Sequence, residues 1–405
     1  MKYIVILGDG MADYKQPFLN NKTPLDLANK PTIDGLCAVS EMGLVRTIPD
    51  GMKPGSDVAN LSVLGYDVKA IYTGRSPLEA ASIGIELKDT DVTARANLVT
   101  LSDEEVYEDK TMIDYSAGEI STSEAKELIE YLASHLNDDK NKFYAGISYR
   151  HCLVRDKGEI SNNLTPPHDI TGKPIKEYLP KDEKSKIYVD LMKKSAKLLK
   201  DHPVNLKRKK EGKRVANSLW FWGEGTKPQL ENYKQKFGVS GGMISAVDLL
   251  KGIGMLSGMK VIEVDGATGN IDTNFEGKAE KCIEALKNGL DFVYIHMEAP
   301  DECGHHGDSK NKISSIEQID QKVVKKVIEE LENMNEPFSI LICPDHPTPL
   351  STMTHAKEPV PYIIYRSNKV FEGKKGAKYC ETEAESTGIY IENSRDLMKK
   401  FIKEI

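Results

Sequence analysis

No apolar segment of this 405-residue chain approaches the roughly 20 residues a membrane-spanning helix needs. The N-terminal MKYIVILGDGM offers only five apolar residues before Gly8, meets Asp9 at once and lacks a small-residue cleavage site. It reads as a buried first strand, and the expected location is the cytoplasm. The six cysteines (Cys37, Cys152, Cys282, Cys303, Cys343, Cys380) form no CxxC pair and read as reduced, mostly buried thiols. A basic excess is missing too: 55 lysines and arginines face 62 acidic residues, for a net charge of −7. That argues against a broad nucleic-acid surface and against nucleic acid as a partner. The one dense basic run, Lys207-Arg208-Lys209-Lys210, reads as a solvated turn. There is no internal repeat and no low-complexity segment. Neither a GxxxxGK[ST] loop nor the protein-kinase signatures occur, so nothing independent points to an ATP site.

What is present is a series of short apolar runs ending in acidic or polar residues: YIVILGDG (3–10), SLWFWGEG (218–225), DFVYIHMEAPDE (291–302) and FSILICPDHP (338–347). Continuous apolar runs of strand length suit strands covered on both faces. Helical patterns lie between them, at 244–256, 278–290 and 316–334. The alternation predicts an α/β fold, a mostly parallel sheet sandwiched by helices, with function at the carboxyl ends of the strands. Asp9, Asp301 and Asp345 all sit at such ends. From 88 to 211 the chain is more polar, with a hairpin-like EEVYEDKTMIDYS and an amphipathic helix around SEAKELIEYLASHL. The expected organisation is a discontinuous catalytic domain, 1–87 with 212–405, and an inserted smaller α+β domain, 88–211. Trp220 and Trp222 read as core, and GATG (266–269) as a loop that either touches substrate or does not.

Three clusters carry chemistry. Asp301 and His305 follow one buried strand, Asp345 and His346 follow another, and His355 comes nine residues further on. Carboxylates supply hard oxygen, and imidazoles suit Zn, Mn or Fe. With Asp9 this is more than one ion requires, and two ions about 4 Å apart would use all of them, an arrangement for phosphoryl transfer. His306 reads as a solvated neighbour, and Cys303 lies inside the cluster. Ser56, in PGSDVANLSVLGYD (54–67), sits where a helix begins. A hydroxyl there is either a cap or a nucleophile, and a divalent ion could favour its alkoxide. Asn60, one turn on, would face the same side and contact the phosphate.

These motifs resemble the archaeal-type, cofactor-independent phosphoglycerate mutases of the alkaline phosphatase superfamily. The likeness runs end to end. It includes LGDG, KTPLDLANKPTIDGL, PGSDVANLSVLGYD, YTGRSPLEAASIGI, SYRHCLV, PPHDITGKPI, ANSLWFWGEG, ISAVDLLKGIG, DGATGNIDTNF, EAPDECGHHGD, and PDHPTP followed by THAKEPVP. It implies an alkaline-phosphatase-like fold and two divalent metal ions. One ion would be held by Asp301, His305 and His355, the other by Asp9, Ser56, Asp345 and His346. Manganese is the expected metal, with zinc and magnesium as alternatives, and no 2,3-bisphosphoglycerate is required. Ser56 would carry a transient phosphoryl group. The partner would be a small phosphorylated metabolite, and the oligomeric state is open. The insert would orient substrate and close over the metals, with Arg75, Arg95, Arg150, His151, His168, Asp169 and Lys173 as candidates for gripping phosphate and carboxylate.

One segment departs from the family pattern. Where such mutases tend to carry an arginine-rich stretch resembling D-R-R-A-G-R, this chain reads Asp114-Tyr115-Ser116-Ala117-Gly118-Glu119. That pattern is similar to a branch proposed to act as a homoserine kinase. The expected reaction is interconversion of 2- and 3-phosphoglycerate through phosphoserine. The alternative is phosphotransfer to homoserine by the same serine and metals.

Overall fold

A computed structural model describes residues 1–161, 163–369 and 371–403. The chain divides into two compact units, Met1–Tyr72 with Gln229–Ile405, and Thr73–Pro228. The junctions thus lie outside the expected 87/88 and 211/212. The helix Ser76–Ser82 packs on strands of the inserted unit, and the run SLWFWGEG is itself one of those strands.

The strands are β1 Lys2–Gly8, β2 Glu41–Val45, β3 Val92–Leu101, β4 Met112–Asp114, β5 Asn141–Tyr144, β6 Arg150–Arg155, β7 Ser218–Thr226, β8 Gly241–Ile244, β9 Lys260–Val261, β10 Phe292–Met297, β11 Phe338–Cys343, β12 Val360–Arg366 and β13 Tyr390–Ile391. In the first unit they form one sheet in the order β13-β2-β12-β11-β1-β10-β8-β9. Its centre, β11-β1-β10-β8, is parallel, and β12 runs antiparallel to both neighbours. Alternate side chains of the central strands take opposite faces. Ile4, Ile6, Val293, Ile295, Ile340 and Ile342 join a core with Cys282, Ile283 and Leu286 of the helix Phe275–Lys287 and with Val323 and Val327 further along. On the other face, Tyr3 meets Phe401 of the C-terminal helix edge to face at 5.6 Å. Tyr233 of the helix Tyr233–Phe237 meets Phe292 at 4.8 Å. Burying both faces removes about 1.5–3 kcal/mol worth of apolar surface from water per large side chain. That is why these strands are apolar throughout.

The helix expected over 316–334 is part of a longer one, Ser309–Gln318 and Lys325–Asn333 joined by a wider π turn, Ile319–Val324. The wider turn carries buried Asp320, whose carboxylate accepts the backbone N–H of Ile33 at 2.7 Å at the start of the helix Pro31–Leu36.

In the second unit β3 pairs antiparallel with β4, β6 and β7, and β5 with β6. The amphipathic helix is Thr122–Leu136. Ser121 caps it by accepting the Glu124 N–H, and Ala125, Leu128, Ile129 and Leu132 form its buried stripe. The basic run is no turn. It closes the helix Pro203–Lys210, with cations at the negative end of the helix dipole. Arg208 is buried there, bonded to Glu124 and to the Ala117 carbonyl. The hairpin expected at 104–116 begins further back: the end of β3 pairs antiparallel with β4 across a connection that carries a 3-10 turn, Tyr107–Asp109. Among the described residues no helix is long and apolar enough to cross a membrane.

Candidate active site

The parallel strands β11, β1 and β10 are adjacent, so their carboxyl ends open on one edge. Asp9 follows β1, and Asp345 and His346 follow β11. After β10 the chain turns directly into the helix Ala299–His305, with Pro300 in its first turn. Asp301 and His305 are therefore four apart on one helical face. Close approach of these segments depends on glycine. Gly10 has φ +60°, and a Cβ there would lie 2.5 Å from Asp301 Oδ1. A Cβ on Gly304 would lie 2.5 Å from the Thr348 carbonyl.

His305 Nε2 and His355 Nε2 face each other at 2.9 Å. Asp301 Oδ2 lies 3.3 Å from the first, and Asp301 Oδ1 lies 3.6 Å from the second. Three electron-pair donors directed at one another suit a divalent cation. Asp9, Asp345 and His346 form a second such group, their donor atoms within 4.8 Å of one another, and the ring of His346 also approaches His355 and Asp301. Asp9 Oδ1 is buried with no hydrogen-bond partner. Its carboxyl is pushed well above the usual range by burial and by the charges of Asp345, Asp301 and Glu298. An orphaned carboxylate oxygen among three further carboxylates fits a cation-binding pocket. Asp301 is held well below its usual range. Burial opposes this, but hydrogen bonds from His305 and His355 outweigh it. Against the same burial, Asp301 raises His305 to about 9. His346 is pushed down by burial. Burial also raises the Cys303 thiol to about 11, so it is no thiolate at neutral pH. His306 is exposed.

Ser56 is the first residue of the helix Ser56–Val63, and Gly55 holds the cap position. Asp57, next in line, accepts the Val58 N–H. The Ser56 hydroxyl makes no capping bond. Its Oγ lies 3.2 Å from His346 Nε2, and the residue is only half-buried. Asn60 departs from expectation. It is fully buried and engaged at both ends of its amide. Its Nδ2 donates to the Ser56 carbonyl at 2.8 Å and to Asp345 Oδ2 at 2.9 Å, while its Oδ1 accepts from Tyr294 at 2.6 Å. Asn60 therefore braces the helix start against Asp345 and presents nothing to a bound phosphate. Gly10 N–H and His346 N–H donate to the other oxygen of Asp345.

Within the inserted unit, Arg75 and Arg95 flank Glu79, with Nε to carboxylate distances of 2.8 and 2.9 Å. Arg95 also lies over the ring of Trp222 at 4.2 Å, so Trp222 does more than fill core. Its burial lowers it to about 10, with Glu79 opposing. Arg150 adds to the charge felt by Glu79 and stacks on Tyr149. His168 packs against Trp222 and Tyr115, which places it in the same cluster. Asp169 and Lys173 lie exposed nearby in sequence, with Lys173 Nζ on the Asp169 carbonyl. His151 is buried and pushed down to about 3 by burial and then by Arg150, and its Nε2 has no partner. Glu79, Tyr294 and Thr348, which donates to Asp301, were not singled out from sequence. Tyr294 and Thr348 gain meaning only from partners distant along the chain, and Glu79 from Arg95 on β3 together with Arg75 one turn before it.

The mostly parallel sheet with its α+β insertion defines an α/β enzyme fold shared along the whole chain with solved archaeal structures. A Pyrococcus horikoshii protein matches with TM-score 0.82 and 28% identity over 99% of this chain and 96% of that one. The cofactor-independent phosphoglycerate mutase of Thermoplasma acidophilum shares the fold with TM-score 0.62, over 100% and 99%. In sequence, residues 38–205 match the family model described as 2,3-bisphosphoglycerate-independent phosphoglycerate mutase. The Methanosarcina barkeri protein of that name is 47% identical over 100% of both chains. The one from Methanothrix thermoacetophila is 44% identical over 99% of this chain and 100% of its own. The chain belongs to the 2,3-bisphosphoglycerate-independent phosphoglycerate mutase family.

Proposed function

We propose that this chain is a cofactor-independent phosphoglycerate mutase that interconverts 2- and 3-phosphoglycerate through a phosphoserine on Ser56. The observation that carries the reading is the Ser56 hydroxyl, uncommitted to capping and 3.2 Å from His346 in a cluster of carboxylates and imidazoles. Full-length relatives bearing that name support it. In this reading Asp301, His305 and His355 hold one divalent cation, and Asp9, Ser56, Asp345 and His346 hold the other. The family resemblance makes manganese the expected metal, with zinc and magnesium as competitors, and the donors present are imidazole nitrogen and carboxylate oxygen. When bound, the cations favour the serine alkoxide and offset charge on the phosphoryl group.

Ser56 attacks phosphorus in line. The Oγ–P bond forms, the bond to the glycerate oxygen breaks, and the leaving oxygen takes up a proton. The second hydroxyl of the same glycerate then attacks phosphoserine, which regenerates Ser56. Because the phosphoryl group rests on the protein between steps, no 2,3-bisphosphoglycerate is needed. The helix start beneath Ser56 offers N–H groups and a favourable dipole to the phosphoryl oxygens. Asn60 fixes the Ser56 backbone, so the nucleophile is held before substrate arrives. Arg75, Arg95 and Arg150 bind the carboxylate and phosphate, with His151, His168, Asp169 and Lys173 as further contacts. We assign the reaction to the cytoplasm, in keeping with six free, buried cysteines.

The test is conversion of 3-phosphoglycerate to 2-phosphoglycerate by manganese-loaded protein, beside homoserine phosphorylation with ATP. Mutase turnover that disappears in Ser56→Ala is expected. Homoserine phosphate formation without mutase turnover would overturn the substrate assignment, and near wild-type mutase activity in Ser56→Ala would overturn the mechanism.

A further inference from the structure

Three adjacent parallel strands deliver three polar side chains in a line across the sheet edge. β1 pairs with β10 so that Leu7 lies beside His296, and Asp9 follows two residues on. β10 pairs with β8 so that Ile295 lies beside Ile244, which puts Ser245 next to His296. All three side chains are buried. His296 Nε2 is 2.9 Å from Asp9 Oδ2, and His296 Nδ1 is 3.2 Å from Ser245 Oγ. The Val247 N–H donates to the same Ser245 oxygen at 3.0 Å. Lys278, also buried, donates to the His296 carbonyl at 2.9 Å and pins the strand end.

The hydrogen bonds can run in one direction only when Asp9 is an ionised ligand. A carboxylate accepts and cannot donate, so Nε2 carries the proton toward Asp9. Nδ1 of a neutral ring is then an acceptor, and the Ser245 O–H fills it. The Ser245 oxygen in turn accepts the Val247 N–H. The tautomer is set from behind, by a serine that touches neither Ser56 nor any proposed ligand. The consequence falls on Asp9: Oδ2 is occupied, and Oδ1, buried without a hydrogen-bond partner and 3.5 Å from His346 Nε2, is the oxygen left for a cation.

We infer that His296 and Ser245 are positioning residues that hold Asp9 as a one-oxygen ligand and thereby set the occupancy of one of the two cation sites. This rests on the two-cation reading above. The direct partners of Asp301, by contrast, are His305, His355 and Thr348. Outer partners of this kind typically change metal affinity by about 10–100-fold. The effect should be confined to the site that uses Asp9.

The experiment is a Mn2+ titration of the full metal-stripped chain, with bound metal counted after gel filtration and free Mn2+ followed by electron paramagnetic resonance. Wild type should take up two equivalents. His296→Leu should weaken one of them about 10–100-fold and leave the other unchanged. His296→Gln, which keeps an N–H near the Nε2 position, should recover most of the loss. Ser245→Ala should weaken the same equivalent by a smaller factor. Folded His296→Leu that binds both equivalents as wild type does would overturn the inference. So would His296→Gln as damaged as His296→Leu, because packing would then be the cause. Should circular dichroism show His296→Leu unfolded, Ser245→Ala decides, and wild-type affinity at both sites in that variant overturns the inference. A wild-type chain that binds fewer than two equivalents would overturn the two-cation reading itself, and this inference with it.

Discussion

Replacing Lys312 with methionine should destabilise the catalytic unit by about 3–5 kcal/mol. Lys312 is fully buried in the helix Ser309–Gln318. Its ammonium lies 2.8 Å from Asp13 Oδ2, and it donates to the carbonyls of Thr348 at 2.8 Å and Ala12 at 3.3 Å. Asp13 also accepts from the Gln16 side chain at 2.8 Å and from Leu350 N–H at 3.2 Å. This one side chain therefore ties the loop after β1 to the loop after β11, and those loops carry Asp9, Asp345 and His346. Methionine keeps the volume but strands a buried carboxylate and leaves the Thr348 carbonyl without its donor, while the Ala12 carbonyl keeps the Thr348 N–H at 3.2 Å. Most of the loss is the uncompensated charge, so Asp13→Asn with Lys312→Met should cost much less than Lys312→Met alone. Urea unfolding by far-UV circular dichroism measures this. Trp220 and Trp222, both in the inserted unit, follow that unit separately by fluorescence. Lys312→Met within about 0.5 kcal/mol of wild type would refute the reasoning. So would a double variant as damaged as the single one.

Other outcomes follow from the same geometry. Glu381 accepts from Asp13 N–H and Thr23 Oγ1, and burial lifts its carboxyl to about 7. The folded chain then keeps a proton that the unfolded chain releases near about 4.3, so this group lowers stability as pH rises from there to about 7. Glu381→Gln should therefore gain stability relative to wild type between about pH 5 and about pH 8, read by urea unfolding at both. Chelation should abolish turnover and lower the melting temperature. Restoring Mn2+ at a hundred times its dissociation constant should return about 2.7 kcal/mol per site. Arg150 is exposed, so Arg150→Gln should leave stability within about 0.5 kcal/mol. Loss of one charge-assisted bond to substrate, about 1.5–3 kcal/mol, should still lower kcat/KM at least tenfold.

The sequence made the site's frame legible where local signals sufficed. β1, β10 and β11 are continuous apolar runs that end in acidic residues, so both their burial and the sheet edge carrying the cluster could be read directly. SLWFWGEG carries the same signal yet belongs to the antiparallel sheet of the inserted unit. A strand covered on both faces looks alike whichever way its neighbours run. The unit junction was missed for a related reason: Ser76–Ser82 joins the insert by packing on β3 and β7, and nothing in its own residues says so. Helical spacing correctly put Asn60 one turn from Ser56. That its amide is consumed by Tyr294 and Asp345 depends on where β10 lies under the helix. In the sequence His296 is only a histidine within the apolar run DFVYIHMEAPDE. Its role needs the register of β8, β10 and β1 together, which no local pattern encodes.

The central claim is that the phosphoryl group passes through Ser56. The most direct measurement is acid quench of the manganese-loaded chain during turnover of 3-phosphoglycerate, followed by mass spectrometry of the peptide that contains Ser56. The account predicts one phosphoryl group on that serine, present only with substrate and absent in Ser56→Ala. Steady mutase turnover with Ser56 unmodified, or with the phosphoryl group on another residue, would contradict it.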